Sequence, residues 1–446
     1  MSDVDSAMAS ELRSTLVSLV AVVASGVVVV TCSATREAEV RAASTPASVV
    51  LVATPDESAA APAPVVSASA SASATVVASA SASGAPATVA KGPLGHFRGA
   101  LSDLASGARK KPVRIAWIGD SHTAADFWTG AARKKLQEKY GDAGQGFVHV
   151  GWGTGKYRHD GFKLDPRKWE TVPAQPATSA KTDDGVFGLG GIRFEAAEPS
   201  ASASLSLQGT GEGKVTWDLA YRNPAGSSLR VKVDGGKPID LGETKGALIQ
   251  HRSFSGNFAG GKLEVEAVSG RPQLFGAVVE RDQPGIVLDT LGIGGARVAT
   301  TLVWDEPSWT SELTRRAPQL VVVAFGTNES QEKSGTEERY QRQMDSLLTR
   351  VRAAAPDADC VVITPMDRSK VEAEQRLPKI AKGFAAAAAK HRCVVWSAFD
   401  VMGGEGSMQA WINENPPRAQ ADGIHLSARG YAWLGDKLGT FLMEGR

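Results

Sequence analysis

The chain has 446 residues, long enough for two or three domains and a sizeable core. Its 49 Lys and Arg stand against 48 Asp and Glu, a formal net charge of +1. Such a balance produces no field of one sign, so nothing in the bulk charge points to nucleic acid or to an acidic membrane surface as a partner.

Residues 16–30 form an apolar run shorter than the ~20 residues that span a bilayer comfortably, and residues 1–32 therefore read as a secretion signal. Cys32 follows directly, where a bacterial lipoprotein signal carries its lipidated cysteine. Against that stand the bulk of Thr31 and an acidic start, with Asp3, Asp5 and Glu11 outnumbering Arg13. Membrane attachment through Cys32 or through the apolar segment, and a cleaved soluble form, all stay open. Residues 33–93 are rich in Ala, Ser and Pro and poor in aromatics, too little apolar surface to offset the entropy of ordering. They read as a flexible spacer, suited to an immobile polymeric substrate.

Residues 94–151 open a folded part. An apolar strand over 113–118 runs into Gly119-Asp120-Ser121-His122 and a helix over 124–140. From 152 to 284 the pattern changes to short alternating runs at 202–207, 214–219, 229–234 and 262–267, bounded by Gly, Asn and Asp. That is antiparallel sheet, some seven runs forming an inserted all-β domain of jelly-roll type. Residues 285–446 resume the first pattern. Gly292-Ile293-Gly294-Gly295-Ala296 comes first, then a strand at 320–325 with Gly326-Thr327-Asn328-Glu329 and a helix over 337–355. Strands at 360–364 and 393–396 precede helices over 377–390 and 428–443, and Asp422-Gly423-Ile424-His425 stands before the last of these. Nearly continuous apolar strands alternating with helices predict a parallel sheet covered on both faces, a flavodoxin-like three-layer α/β/α sandwich. Its site should lie beyond the carboxyl ends of the strands, where Ser121, Asn328 and the 422–425 loop all fall. Cys360 and Cys393 each begin a strand, so a bridge at one sheet edge and two buried thiols are equal alternatives.

A serine opening a helix at the exit of a buried strand sits where helix amides favour developing negative charge. Ser121 is the candidate nucleophile, His425 its base, and Asp422 the group that fixes the imidazole tautomer. Alone, Ser121 reads as a helix cap and a single His as structural; the ordered set reverses that weighting. Asp120 and His122 are read as orienting the turn, and Glu329 as a hydrogen-bond partner behind the site. Trp152, Trp304, Trp309 and Trp411 are weighed as sugar platforms against buried packing, the commoner fate. There is no Gly-x-Ser-x-Gly elbow, phosphate loop or His-Glu-x-x-His, and no metal or organic cofactor is expected.

These four ordered blocks resemble the SGNH, or GDSL-type, hydrolase superfamily. Gly-Asp-Ser-His, the Gly-Gly-Ala block, Gly-Thr-Asn-Glu and residues 402–411 are most similar to bacterial peptidoglycan O-acetylesterases. The resemblance implies oxyanion donors from the Ser121 and Gly295 backbone N–H groups and the Asn328 amide, with Gly292 and Gly294 competing for the Gly295 role. It also implies a carbohydrate-binding-module-like insertion at 152–284. The expected activity is removal of O-acetyl groups from polysaccharide, peptidoglycan foremost, by an enzyme exported to the bacterial periplasm or cell envelope. The rivals are a deacetylase for another polysaccharide, a short-chain ester lipase, and a non-catalytic polysaccharide-binding protein.

Overall fold

The first strand, β1 (Val113–Gly119), is buried along almost its whole length, as its Val, Ile, Ala and Trp content requires of a strand covered on both faces. The computed structural model describes residues 93–152, 157–172, 184–246, 248–369 and 375–444. The apolar N-terminal segment, Cys32 and the spacer lie outside them.

Helix α1 (Gly95–Ala105) precedes β1; the one-turn α2 (Ser121–Ala124) and α3 (Phe127–Tyr140) follow it. The single helix expected over 124–140 is broken at Asp126, which takes a left-handed conformation (φ 53°). The break serves a buried hub: the Asp126 carboxylate accepts from Arg133 (2.7 and 3.0 Å), Thr129 (2.6 Å), Thr290 (2.9 Å) and the Asp160 amide (2.8 Å). Burial alone would raise its pKa, but the Arg133 guanidinium, His159 and the Thr129 hydroxyl together outweigh burial and hold the carboxyl well below its ordinary range.

Eleven antiparallel strands come next: β2 (Gly146–Val148), β3 (Phe162–Arg167), β4 (Trp169–Val172), β5 (Arg193–Ala196), β6 (Ser202–Leu207), β7 (Lys214–Arg222), β8 (Ser228–Val233), β9 (Ile239–Leu241), β10 (Gln250–Asn257), β11 (Lys262–Ser269) and β12 (Gln273–Arg281). One sheet runs β10-β7-β12-β5-β4 with β2 also on β12, and the other β3-β6-β11-β8-β9. Along β6, Ala203, Leu205 and Leu207 are buried while the serines between them are half-buried, the alternation of a sheet packed on one face. Leu205, Val231 and Leu263 of one sheet share a core with Trp217, Leu219 and Val279 of the other, which makes the inserted part a sandwich. Ten of the eleven strands fall within 152–284; β4, β5 and β9 among them, like β2 before them, are only three or four residues long, too short for alternation to reveal them, hence more strands than the expected seven runs.

The chain then returns through β13 (Ile286–Gly292), α4 (Val298–Thr301), α5 (Glu306–Arg316), β14 (Leu320–Ala324), a 3₁₀ turn at Glu329–Gln331, α6 (Glu337–Ala354), β15 (Asp359–Thr364), α7 (Leu377–Lys390), β16 (Val394–Ser397), α8 (Ala398–Met402), α9 (Ser407–Ile412) and α10 (Ala428–Glu444). The parallel sheet has the order β13-β1-β14-β15-β16. Ile115 and Trp117 of β1 pack with Phe97 (α1), Leu136 (α3) and Leu438 (α10), whereas Ala116 and Ile118 pack with Leu313 (α5), Leu347 (α6) and Phe384 (α7). Helices cover both faces, so this is the three-layer α/β/α sandwich with an inserted β domain. Strand β13 escapes a hydropathy reading because Asp289 interrupts it. That carboxylate is wholly buried against Arg316, whose Nε and Nη2 donate to it at 2.8 and 3.0 Å. A disulfide joins Cys360 in β15 to Cys393 just before β16, deciding between the two alternatives left open for these residues.

Candidate active site

The order of the sheet reverses at β1, with β13 on one side and β14 on the other, and the carboxyl ends of these strands form the crevice in which α/β folds place their chemistry. Gly119 ends β1 where a Cβ would lie 2.8 Å from the Ala324 carbonyl, so only glycine permits the strand to turn there. Asp120 caps α2, its carboxylate accepting from the His122 amide at 3.0 Å. Ser121 is then the first helical residue, among the N–H groups that a helix leaves without an internal acceptor.

The Ser121 hydroxyl lies 2.9 Å from His425 Nε2, and His425 Nδ1 lies 2.7 Å from Asp422 Oδ2. A carboxylate can only accept, so Nδ1 carries the ring proton and Nε2 is left to accept from the hydroxyl. The other carboxylate oxygen of Asp422 accepts the backbone amides of Ile424 and His425, each at 2.9 Å, which fixes the carboxylate within its own loop. Partial burial would raise the Asp422 pKa; the hydrogen bonds from the His425 ring and from the His425 and Ile424 amides, with the attraction of His425, together outweigh it and hold the carboxyl below its ordinary value. Gly423 takes φ 68° in this loop, and its carbonyl accepts the Ser369 amide at 3.1 Å, tying the loop to the segment after β15. His425 and Asp422 keep 33% and 42% of their side chains exposed, so the series opens to solvent.

The Gly-rich block and the loop after β14 are cross-bonded. Glu329 is wholly buried, and its two carboxylate oxygens accept the amides of Val298 (2.7 Å) and Gly326 (3.0 Å). Asn328 Nδ2 donates to the Ala296 carbonyl at 2.8 Å, using one of its two protons, and Arg297 Nε donates to the Asn328 carbonyl at 3.1 Å. Gly295 is exposed with φ 77°. Gly292 lies in β13, where a Cβ would meet the Ala124 Cα at 2.6 Å, and Gly294 borders open space. Burial pushes both Glu329 and Asp120 up to about 7. Burial also pushes His122 down to about 3; its Nδ1 lies 2.8 Å from the Tyr431 hydroxyl, so it stands behind the serine as a neutral ring.

The structure therefore brings Ser121, His425 and Asp422 together and links the Gly295 and Asn328 loops through Glu329. It does not offer the tryptophans as platforms: Trp304, Trp309 and Trp411 are buried in the cores, and Trp152 stacks on Tyr157 with 5.3 Å between ring centroids. Two residues missed in the sequence are Asp367 and Arg368. Asp367 Oδ2 accepts the Met408 amide at the start of α9 (2.8 Å), and Arg368 Nη1 donates to the Thr327 carbonyl (2.8 Å). Their position just beyond the carboxyl end of β15 is the signal that could have found them.

Residues 258–433 match the GDSL-like Lipase/Acylhydrolase family. The chain carries a GDSL-like lipase/acylhydrolase domain. By class it is a carboxylic ester hydrolase. The matched span of this GDSL-like domain leaves out the Ser121 block, which the antiparallel strands separate from the rest of the parallel sheet. None of the curated proteins compared matches the chain. A solved structure described as "Peptidoglycan O-acetylesterase in action, 5 min" superposes with a TM-score of 0.66 at 24% identity, covering 78% of this chain and 95% of that one, which shows a shared fold. A family two carbohydrate esterase from Clostridium thermocellum in complex with cellohexaose follows at a TM-score of 0.28 and 10% identity, covering 64% and 99%. A solved structure described as a "putative GDSL-like lipase from Parabacteroides merdae" gives 0.29 and 16%, covering 37% and 75%.

Proposed function

We propose that the protein is an exported serine esterase that removes O-acetyl groups from a cell-envelope polysaccharide, peptidoglycan foremost. The observation that carries this reading is the hydrogen-bonded series Ser121–His425–Asp422, at 2.9 and 2.7 Å, at the carboxyl ends of the parallel strands. His425 Nε2 takes the Ser121 proton as Oγ attacks the acetyl carbonyl; Asp422 stabilises the imidazolium. The Ser121 and Gly295 N–H groups and the free proton of the Asn328 amide stabilise the oxyanion. Collapse breaks the bond to the sugar oxygen, which takes the proton from His425 and departs as a hydroxyl. Water, deprotonated by the same imidazole, then cleaves the acetyl-serine to acetate and restores Ser121.

The fold shared with a solved structure described as a peptidoglycan O-acetylesterase supports the choice of substrate. The Cys360–Cys393 disulfide suits an oxidising compartment, and with the apolar residues 16–30 and the spacer it favours export, as a cleaved soluble form or attached through Cys32 or that apolar segment. In this reading the inserted sandwich contacts glycan. Purified protein should release acetate more efficiently from O-acetylated peptidoglycan than from acetylated xylan, and should discriminate against longer acyl chains. A preference for longer chains would make it a lipase, a preference for xylan a different polysaccharide esterase, and no release from any substrate a binding protein.

A further inference from the structure

A cavity of about 420 Å³ opens at the carboxyl ends of β15 and β16, large enough for a small organic group. None of Ser121, His425 and Asp422 lines it. It is nevertheless next to the serine turn, because Thr364 and Pro365 also border the small hollow against Asp120 and His122. Leu377, Pro378, Ala381 and Phe399 give it an apolar wall.

Among the described residues that line it, the charge has one sign. Asp367 lies in its floor, and Asp400 and Glu405 stand exposed at its mouth; no Lys or Arg is among the described residues that line it. Asp367 is wholly buried, and only one of its oxygens is used, Oδ2 accepting from the Met408 amide and the Ser407 hydroxyl at 2.8 and 3.3 Å. Asp367 Oδ1 is buried with no hydrogen-bond partner among the described residues, and so is the hydroxyl of Thr364 on the same wall. A buried carboxylate oxygen left without a donor is costly, and two such acceptors on one wall call for a group that brings several protons.

We propose that this cavity binds an organic ammonium, a primary amine on a short apolar stem, with its N–H protons on Asp367 Oδ1 and Thr364 Oγ1 and its stem along Leu377 and Phe399. An ammonium carries three donors and a positive charge, which answers both the unused oxygens and the acidic mouth. A neutral hydroxyl-bearing sugar satisfies the hydrogen bonds and leaves the three carboxylates without a counter-charge; an anion is repelled. Two carriers of this chemistry exist, a diamino-acid side chain of a peptide and the free amine of an amino sugar. The inference holds whichever ester the serine cleaves.

The test is direct binding to the purified full chain, by calorimetry or ligand-observed NMR, with three probes: Nα-acetyl-lysine methylamide, methyl glucosaminide, and the Nα,Nε-diacetyl-lysine methylamide in which the charge is removed. Saturable binding of the lysine probe or of the glucosaminide, with the diacetyl probe failing to bind, is expected, and which of the two amines binds identifies the carrier. Asp367→Asn keeps an acceptor for Met408 and should weaken binding at least about tenfold, the worth of one charged hydrogen bond. Thr364→Val and the exposed Glu405→Gln should weaken it less, and Ser121→Ala should leave it unchanged. Failure of both amines to bind up to roughly 10 mM, the range of a single weak anchor, overturns the inference. Equal binding of the diacetyl probe, or amine binding unchanged in a folded Asp367→Asn variant, does the same.

Discussion

Glu329→Ala is the substitution that separates a scaffold from a working oxyanion site. The side chain is fully buried and its two oxygens accept the amides of Val298 and Gly326. Truncation orphans both donors, each at about 1–3 kcal/mol, so a loss of roughly 2–6 kcal/mol in unfolding free energy is expected before the cavity is counted. The functional loss has a separate origin. Val298 lies three residues beyond Gly295 and Gly326 two before Asn328, so the same carboxylate sets the spacing of the two loops that would supply oxyanion donors. Misplacing one such donor costs about 2.7–4 kcal/mol of barrier, a fall in kcat of about 100- to 1000-fold. The assay pairs urea unfolding with hydrolysis of p-nitrophenyl acetate at a temperature where the variant is folded. Glu329→Gln, which keeps one acceptor and turns an NH₂ toward the other amide, should fall between the two. If Glu329→Ala loses the expected stability but keeps kcat within threefold, the clamp holds the fold alone and the oxyanion argument fails.

Ser121→Ala and His425→Ala should each abolish acetyl ester hydrolysis in a folded protein, while Asp422→Asn leaves measurably more activity because it disturbs orientation rather than removing the nucleophile; single-turnover acetate release checks this. Asp120 and Glu329 are both raised by burial to about 7. The native state therefore binds more protons than the unfolded one between the ordinary carboxylate range and pH 7, and these groups make stability fall as pH rises through that window, by up to ~1.4 kcal/mol per pH unit for each group. Unfolding curves from pH 4.5 to 7.5 should show a shallower decline for Asp120→Asn. Cys360 and Cys393 are 33 residues apart, and opening that loop should cost about 3.7 kcal/mol on the chain-entropy estimate; Cys393→Ser, or dithiothreitol treatment, should lower the unfolding midpoint accordingly.

The legible parts of this chain are those where one physical demand acts on consecutive residues. A strand covered on both faces must be apolar throughout, so β1, β14 and β15 stand out, and the motif blocks follow from their carboxyl ends. Where demands conflict, the signal disappears. Strand β13 carries Asp289 because Arg316, distant in sequence, neutralises it. The helix expected over 124–140 breaks because the Asp126 carboxylate is needed as a hub by Arg133, Thr129 and Thr290. Asp367 and Arg368 belong to no motif; only the position of β15 in the sheet brings them to the site. Tryptophan, apolar with one polar atom, suits a sugar platform and a core equally, and only the fold decides.

All the motif residues lie outside the inserted sandwich, as they would beside a detachable unit, but the contacts across its seam argue otherwise. Trp309 lies under it, its indole N–H donating to the Leu189 carbonyl at 3.3 Å, and a Cβ on Gly191 would collide with Trp304. Polar contacts continue the seam: Arg315 of α5 donates to Asp218 of β7 at 2.8 Å, and His251 of β10 lies between Asp218 (3.4 Å) and Glu312 (3.0 Å). Excising the sandwich would expose this seam, so a single substitution is the cleaner probe of whether it presents polymer to the serine. Burial disfavours the charged His251, but the two carboxylates outweigh it and raise its pKa to about 9. A raised pKa contributes stability that is complete below the unfolded value near 6.5 and is lost as pH climbs through 9. The shift corresponds to at most ~3.4 kcal/mol, and roughly 2 once solvent screening of the exposed part is allowed for. His251→Ala should therefore destabilise the protein by about that amount at pH 6 and by much less at pH 10. If the sandwich positions glycan, the variant at pH 6 should lose activity on O-acetylated peptidoglycan while hydrolysing p-nitrophenyl acetate as the parent does, since the loosened seam moves the polymer and not the serine. Equal loss on both substrates in a folded variant would mean that the sandwich supports the catalytic crevice itself, and no loss on either would remove it from substrate recognition.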